Sequence, residues 1–299
     1  MGKHFLSTSL LALLSAICLP GMADAPDTAA DLQLMVGAPP GKGQQVTAEN
    51  ALLPPFNRWS FQHMQSLFPT RSVVSSDNAS QLDVAEADIG NITIRFPDGR
   101  ETTSGQWLAE AYTDGFIALH DGKVVSERYL NGQRPSTRHI MFSVTKSLTS
   151  TLMLMLAEER RLDLTKPVSA YLPELTDTAY GDASVQQVMD MTNSIAYDET
   201  YDDPDSDIAR YFAAISPGGE GLYSYLSSLG SKLPNYEHGE AFRYVTPSTE
   251  VLGWIVRRVS GQSLAQHLEE QIWVPMGSEY EATSWWTRWG SNSLVQECR

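Results

Sequence analysis

The chain has 299 residues, which at roughly 150 residues per domain allows about two domains, or one large domain with an inserted part. With 42% hydrophobic and 19% charged residues, 7 Trp, 12 Tyr and 9 Phe, the composition is globular and excludes wholesale disorder. The 36 acidic residues outnumber 21 basic ones, giving a net charge of −15. Such a surface repels phosphate backbones and argues against nucleic acid as a partner. Two cysteines, Cys18 and Cys298, supply neither a disulfide framework nor a cysteine-based zinc site, and the 6 histidines show no ligand spacing. No metal site is expected.

The chain opens with Lys3 and His4, an apolar run from Phe5 to Leu19, and the small residues Gly21, Ala23 and Ala25. This is the pattern of a secretory signal peptide over residues 1–23. Cleavage after Ala23 is preferred to cleavage after Ala25, which would leave Pro26 next to the cut. A membrane anchor is the alternative, but the run is shorter than the ~20 residues of a bilayer span. The expected location is therefore periplasmic or secreted, with no membrane contact after cleavage. Residues 24–55, rich in Ala, Pro, Gly and Gln without periodicity, predict an extended or disordered arm.

Order is expected from about Phe56. Between Gly115 and Leu130, Asp121-Gly122 separates two β-rich runs and predicts a hairpin. A helix follows from about Ser143 to Arg160, apolar most of the way round and so expected to be buried on several sides. Residues 162–239 are punctuated by Pro167, Pro173, Gly181, Pro204 and Pro217-Gly218-Gly219, predicting an insertion of short helices. Two further helices are predicted, from Pro247 to Val259 and from Leu264 to Trp273. Ser263 and Gln266 have the spacing of a capping box for the second. Strands followed by helices indicate a mixed α/β (α+β) fold.

Chemistry is suggested by Ser143-Val144-Thr145-Lys146. Ser143 sits at the start of a helix, where backbone N–H groups favour developing negative charge. Lys146 follows one turn later on the same face. In apolar surroundings a neutral lysine amine can take the serine proton. Taken alone, the pair reads more readily as a helix cap and a solvated surface charge. Tyr244, just ahead of the helix start at Pro247, could relay a proton across a cleft, although a lone tyrosine there is ordinarily half-buried. Asp203, Asp205 and Asp207 alternate like a calcium loop but lack its later glycine and glutamate, and are expected to be a solvated acidic loop.

Together these segments resemble the serine hydrolases of the β-lactamase and penicillin-binding-protein superfamily. The resemblance is closest to the branch with class C β-lactamases, family VIII carboxylesterases and 6-aminohexanoate-dimer hydrolases. It runs from about Pro54 to Thr283. It includes Pro55-Phe56-Asn57-Arg58-Trp59-Ser60-Phe61-Gln62-His63, the hairpin, Arg138-His139, the Ser143 motif, Tyr180-Gly181-Asp182-Ala183 and Asp203-Pro204-Asp205-Ser206-Asp207. It implies an antiparallel sheet flanked by helices with a helical insertion over about 162–239. It also implies a nucleophilic Ser143, an activating Lys146, Tyr244 as acid/base at the leaving group, an acyl-enzyme, and no cofactor. The substrate would be a small-molecule amide, ester or lactam. Tyr201 matches a tyrosine that closes over the substrate, and Ser248 stands where the family often has a substrate-contacting Asn.

Family members continue past this point through the strands that complete the central sheet, one of which supplies a backbone N–H donor of the oxyanion hole. Residues 284–299 match the family poorly beyond Trp286, so the resemblance implies a domain over 56–283 that is C-terminally truncated and followed by an atypical tail. Loss of one such donor costs about 10²- to 10³-fold in rate. A non-catalytic or penicillin-binding remnant of the fold is the alternative expectation.

Overall fold

The computed structural model describes residues 26–216, 218–286 and 292–298. The expected signal peptide lies outside the described residues. Among those described, no helix is long and apolar enough to cross a membrane.

Residues 26–55 are not the extended arm their composition suggested. They fold as successive turns that bury Leu34, Val46 and Ala51. The segment is tied to the body at both ends: Ala29 N–H donates to Asn131 Oδ1 at 2.8 Å, and the Ser60 hydroxyl donates to the Ala51 carbonyl. It then enters a one-turn helix, α1 (Asn57–Ser60), and strand β1 (Thr70–Val73).

A small two-stranded sheet, β2 (Thr93–Arg95) and β3 (Glu101–Thr103), leads into α2 (Ser104–Glu110), whose Gln106 N–H is capped by the Thr103 hydroxyl. Next comes the hairpin, β4 (Gly115–His120) and β5 (Lys123–Tyr129). Asp121 and Gly122 take φ values of 49° and 74°, the positive pair that a two-residue turn of matching twist requires. Short strand β6 (His139–Ile140) then delivers the chain to α3 (Thr145–Glu158).

α3 buries Thr145, Thr149, Leu152, Met153 and Leu156, one stripe at helical spacing. Leu154 on the opposite side is 52% exposed, so the helix is covered on one main face rather than on several. Short helices follow: α4 (Val185–Met189), α5 (Asp207–Ile215) and α6 (Leu222–Ser228). Ser184 and Gln187 form a complete capping box on α4. In the turn before it, a Cβ on Gly181 would meet the Thr176 carbonyl oxygen at 2.2 Å, so only glycine fits.

α7 (Pro247–Ser260) packs against α3 and ends at Gly261 with φ 79°. α8 (Leu264–Leu268) continues into a π-turn, Glu269–Trp273. Its expected capping box is half-formed: Ser263 caps Gln266 N–H, while the Gln266 side chain bonds Glu270 instead. The last strands are β7 (Ala282–Trp286) and β8 (Asn292–Cys298).

The main sheet has the order β1-β7-β8-β6, all pairs antiparallel. Residues 292–298, expected within an atypical tail, thus lie between β7 and β6, and β8 runs beside the turn that carries Ser143. A single hydrophobic cluster joins α3, α7, α8 and the helices of 162–239, with Val73 of β1 and Ala282 of β7 at the sheet side. This shared core holds the start of α3 and the start of α7 next to each other, although they are a hundred residues apart in sequence.

Candidate active site

Ser143 lies in a 3-10 turn, Phe142–Val144, immediately before α3 rather than inside the helix. Phe142 adopts φ 42°, a left-handed conformation unfavourable for a side chain of this size. A residue held there costs on the order of 1–3 kcal/mol, which the surrounding packing must offset. Phe142 stacks edge-on against Phe61, with centroids 5.2 Å apart.

The strand leading into this turn is anchored by a buried polar cluster. Asp114 accepts from Arg58 at 3.0 Å and from Gln62 at 3.1 Å, and it pairs with His139 of β6 at 3.1 Å. Burial works against the Asp114 carboxylate, but the His139 and Gln62 hydrogen bonds and the Arg58 charge outweigh it and hold the carboxyl below its usual range. Arg138 reaches Gln65 and Glu281, fixing the same approach to β7.

The three chemistry-bearing side chains predicted from sequence meet here. Lys146 Nζ is 3.1 Å from Ser143 Oγ, and the Tyr244 hydroxyl donates to the same oxygen at 2.6 Å. Lys146 Nζ also lies 5.2 Å from the centroid of the Tyr244 ring. The group is open to solvent: Ser143 is exposed, Lys146 is half-buried, and Tyr244 is 37% exposed. An oxygen receiving two donors is well placed to develop negative charge and to pass its proton to whichever neighbour is deprotonated.

Tyr201 is brought to the same mouth. It is 64% exposed, and its hydroxyl donates to Glu199 Oε1 at 2.8 Å. Desolvation, reinforced by the Glu199 charge, pushes its phenol up to about 12, so at neutral pH Tyr201 is a hydrogen-bond donor.

Ser248 is a correction. It is fully buried in the first turn of α7, where its Oγ accepts from Asn193 Nδ2 at 3.0 Å and bonds the Tyr180 hydroxyl at 3.3 Å. It touches no surface a substrate could reach. Ser248→Ala should therefore leave KM unchanged and lower stability by about 1–3 kcal/mol, because two buried polar groups lose their partner. Urea unfolding checks this, and a raised KM with unchanged stability would restore the sequence expectation.

Two residues that sequence reasoning missed are Thr246 and Glu199. Thr246 is the residue just before α7, with φ −52° and ψ −45°, and follows Tyr244 by two with Val245 buried between them. Its place directly ahead of Pro247 was the available signal. Glu199 accepts from Thr246 N–H at 3.1 Å and from the Thr246 hydroxyl, a contact 47 residues apart that carries no local signature.

A cavity of about 1380 Å3 lies on the far side of the nucleophile turn, bordered by Met141, Phe142, Phe116, Ile117 and Trp273. Ser143, Lys146 and Tyr244 do not line it. Among the described residues no cluster of His, Cys, Asp or Glu could hold a metal ion. The Asp203 and Asp207 carboxylates instead accept backbone N–H groups of Asp205 and Asp198.

The chain is similar to several known proteins. The 6-aminohexanoate-dimer hydrolase of Paenarthrobacter ureafaciens is 35% identical over 236 residues, covering 77% of this chain and 57% of that protein. Protein flp of Staphylococcus aureus is 26% identical over 145 residues, 48% of this chain and 27% of that protein. Among solved structures, a Bacillus anthracis protein provisionally named a 6-aminohexanoate-dimer hydrolase superposes with a TM-score of 0.78 at 30% identity, covering 87% of this chain and 69% of that one. The chain thus spans little more than half the length of the first of these relatives. The family described as Beta-lactamase matches residues 109–286, a stretch that holds the hairpin, Ser143, Lys146 and Tyr244. A match across more than half the chain, with the same architecture around it, makes this chain a member of the beta-lactamase family.

Proposed function

We propose that the protein is an exported serine hydrolase that opens an amide or ester bond through an acyl-enzyme on Ser143. The observation that carries this reading is the convergence of Lys146 and Tyr244 on one oxygen, Ser143 Oγ, at 3.1 and 2.6 Å.

The chemistry follows from those positions. Lys146, as the neutral amine, takes the hydroxyl proton while Ser143 Oγ bonds to the substrate carbonyl carbon. The negative charge then sits on the carbonyl oxygen, near the backbone N–H groups at the start of α3. Tyr244 hands its proton to the leaving nitrogen or oxygen, the bond to the leaving group breaks, and the acyl group stays on Ser143. Water attacks that ester, giving up a proton to the same pair, and the acid departs with Ser143 restored. No step needs a metal or an organic cofactor.

Small linear amides are the first substrates to test, because a relative 35% identical over 236 residues is named for hydrolysis of an aminohexanoate dimer. Small esters and β-lactams follow. The test is turnover of a short linear amide and of an activated phenyl ester by the purified chain. Hydrolysis of either, lost in Ser143→Ala, supports the reading, and turnover of neither by a folded sample contradicts it.

Tyr244→Phe separates the roles. An amine is a poor leaving group without a proton, whereas an activated phenolate needs none. The variant should lose about 10²-fold on the amide and much less on the ester. Equal losses on both would remove Tyr244 from the leaving-group role. Export is checked by the N-terminal sequence of the mature protein, which should begin near Asp24.

A further inference from the structure

Tyr244 stands in a stretch with no regular structure of its own, and something must hold its phenol on Ser143. Tyr244 donates to Ser143 Oγ but lies two residues ahead of α7, outside the helix that anchors the rest of the segment. In direct contact with this segment, residues 196–206 likewise form neither helix nor strand. There Asp198 organises its own turn: its Oδ1 accepts Thr200 N–H at 3.0 Å and the Thr200 hydroxyl at 2.6 Å. Glu199 is directed at the segment of Tyr244 instead. Its Oε2 accepts Thr246 N–H at 3.1 Å, and its Oε1 accepts the Thr246 hydroxyl and, at 2.8 Å, the Tyr201 hydroxyl.

We propose that Glu199 is the positioning residue for Tyr244: by gripping Thr246 through backbone and side chain it fixes the phenol on Ser143, and through Tyr201 it sets both tyrosines of the cleft from one carboxylate. The proposal rests on the reading of Ser143, Lys146 and Tyr244 as the catalytic group.

The chemistry of the position suits a carboxylate. Thr246 N–H is one of the donors at a helix start that have no partner within the helix, and Pro247 next to it has no N–H to offer. A negative group there also complements the positive end of α7. Two oxygens with free lone pairs can take three donors at once. The link spans 47 residues and joins the segment of Tyr201 to the segment of Tyr244.

Glutamine separates the bonds from the charge. In Glu199→Gln the amide oxygen can keep Thr246 N–H, while the amide nitrogen donates to the Thr246 and Tyr201 hydroxyls, which rotate to accept. Glu199→Ala removes all three bonds.

Crystal structures of the two variants, with kcat and KM on a linear amide and an activated ester, test the proposal. In Glu199→Ala the Tyr244 hydroxyl should move beyond 3.5 Å from Ser143 Oγ. The amide kcat should fall about 10- to 100-fold, with the ester kcat and both KM values changed about threefold or less. Glu199→Gln should keep the bond and stay within about threefold of wild type on both substrates. Tyr244 still bonded to Ser143 in Glu199→Ala overturns the proposal. So does a loss that is equal on amide and ester, or a Glu199→Gln variant as impaired as the alanine variant. If Glu199→Ala does not fold, Thr246→Val is the milder test: it deletes the hydroxyl bond and keeps the backbone one, and it should lower the amide kcat more than the ester kcat, with no loss or an equal loss on both overturning the proposal. If wild type and Ser143→Ala do not differ in activity, the hydrolase reading fails, and the Tyr244–Ser143 distance in the variants still decides the role of Glu199.

Discussion

Ser143→Ala should abolish hydrolysis, with kcat on any amide or ester falling by about 10³-fold or more while the fold is retained. The removed atom is the one on which Lys146 and Tyr244 converge, and no other hydroxyl is placed to take over among their hydrogen bonds. Stability should change little, because Ser143 is exposed. Alanine also suits a helix start no worse than a serine that caps nothing: the 3-10 turn has no side-chain cap. Relief of strain at Phe142 is not expected, since that conformation is set by the backbone of the turn and by Phe61. Activity measured against substrate concentration, with circular dichroism on the same sample, checks both halves. Wild-type activity in this variant rules out the assignment.

Lys146→Ala should cost nearly as much, about 10²- to 10⁴-fold in kcat, the usual contribution of a positioned base. Lys146 Nζ is the one nitrogen within hydrogen-bond distance of Ser143 Oγ among the described side chains. Tyr244 remains in the variant, but the phenol that donates to Ser143 Oγ has no site to take up the serine proton, so it does not replace the lysine amine. The loss should therefore be seen on activated esters as well as amides, in contrast to the ester-sparing loss expected for Tyr244→Phe. A Lys146→Ala enzyme that keeps ester turnover and loses only amide turnover would place the base on Tyr244 instead. Single-turnover kinetics, which isolate acylation from release, are the measurement that decides.

Much of the site was legible because it is built from local signals. Ser143 and Lys146 are three residues apart at a helix start, Asp121-Gly122 specifies the hairpin before them, and the apolar spacing of α3 continues after them. Tyr244 was legible through its place ahead of Pro247. What stayed hidden is non-local. The burial of residues 26–55 rests on the isolated side chains Leu34, Val46 and Ala51, which make no periodic pattern. The first turn of α7, Pro247-Ser248-Thr249-Glu250, reads as polar and exposed, yet all four residues are buried. Their polar atoms are taken up by partners such as Asn193 and Tyr211, at separations of 55 and 39 residues. Ser248, which the resemblance sets at a substrate-contacting position, belongs to the core for this reason. The strand β8 was also illegible, since its pairing with β6 and β7 is set by position rather than by a recognisable motif.

The central claim is that Ser143 is an activated nucleophile in this chain as it stands. Mass spectrometry of the purified, folded protein after exposure to a fluorophosphonate tests it directly, because the probe bonds to a serine oxygen only when a neighbouring base draws off its proton. The account predicts one adduct, mapped to the peptide that contains Ser143 and absent in Lys146→Ala. A folded chain that forms no adduct, or one whose adduct lies on another serine, would contradict it.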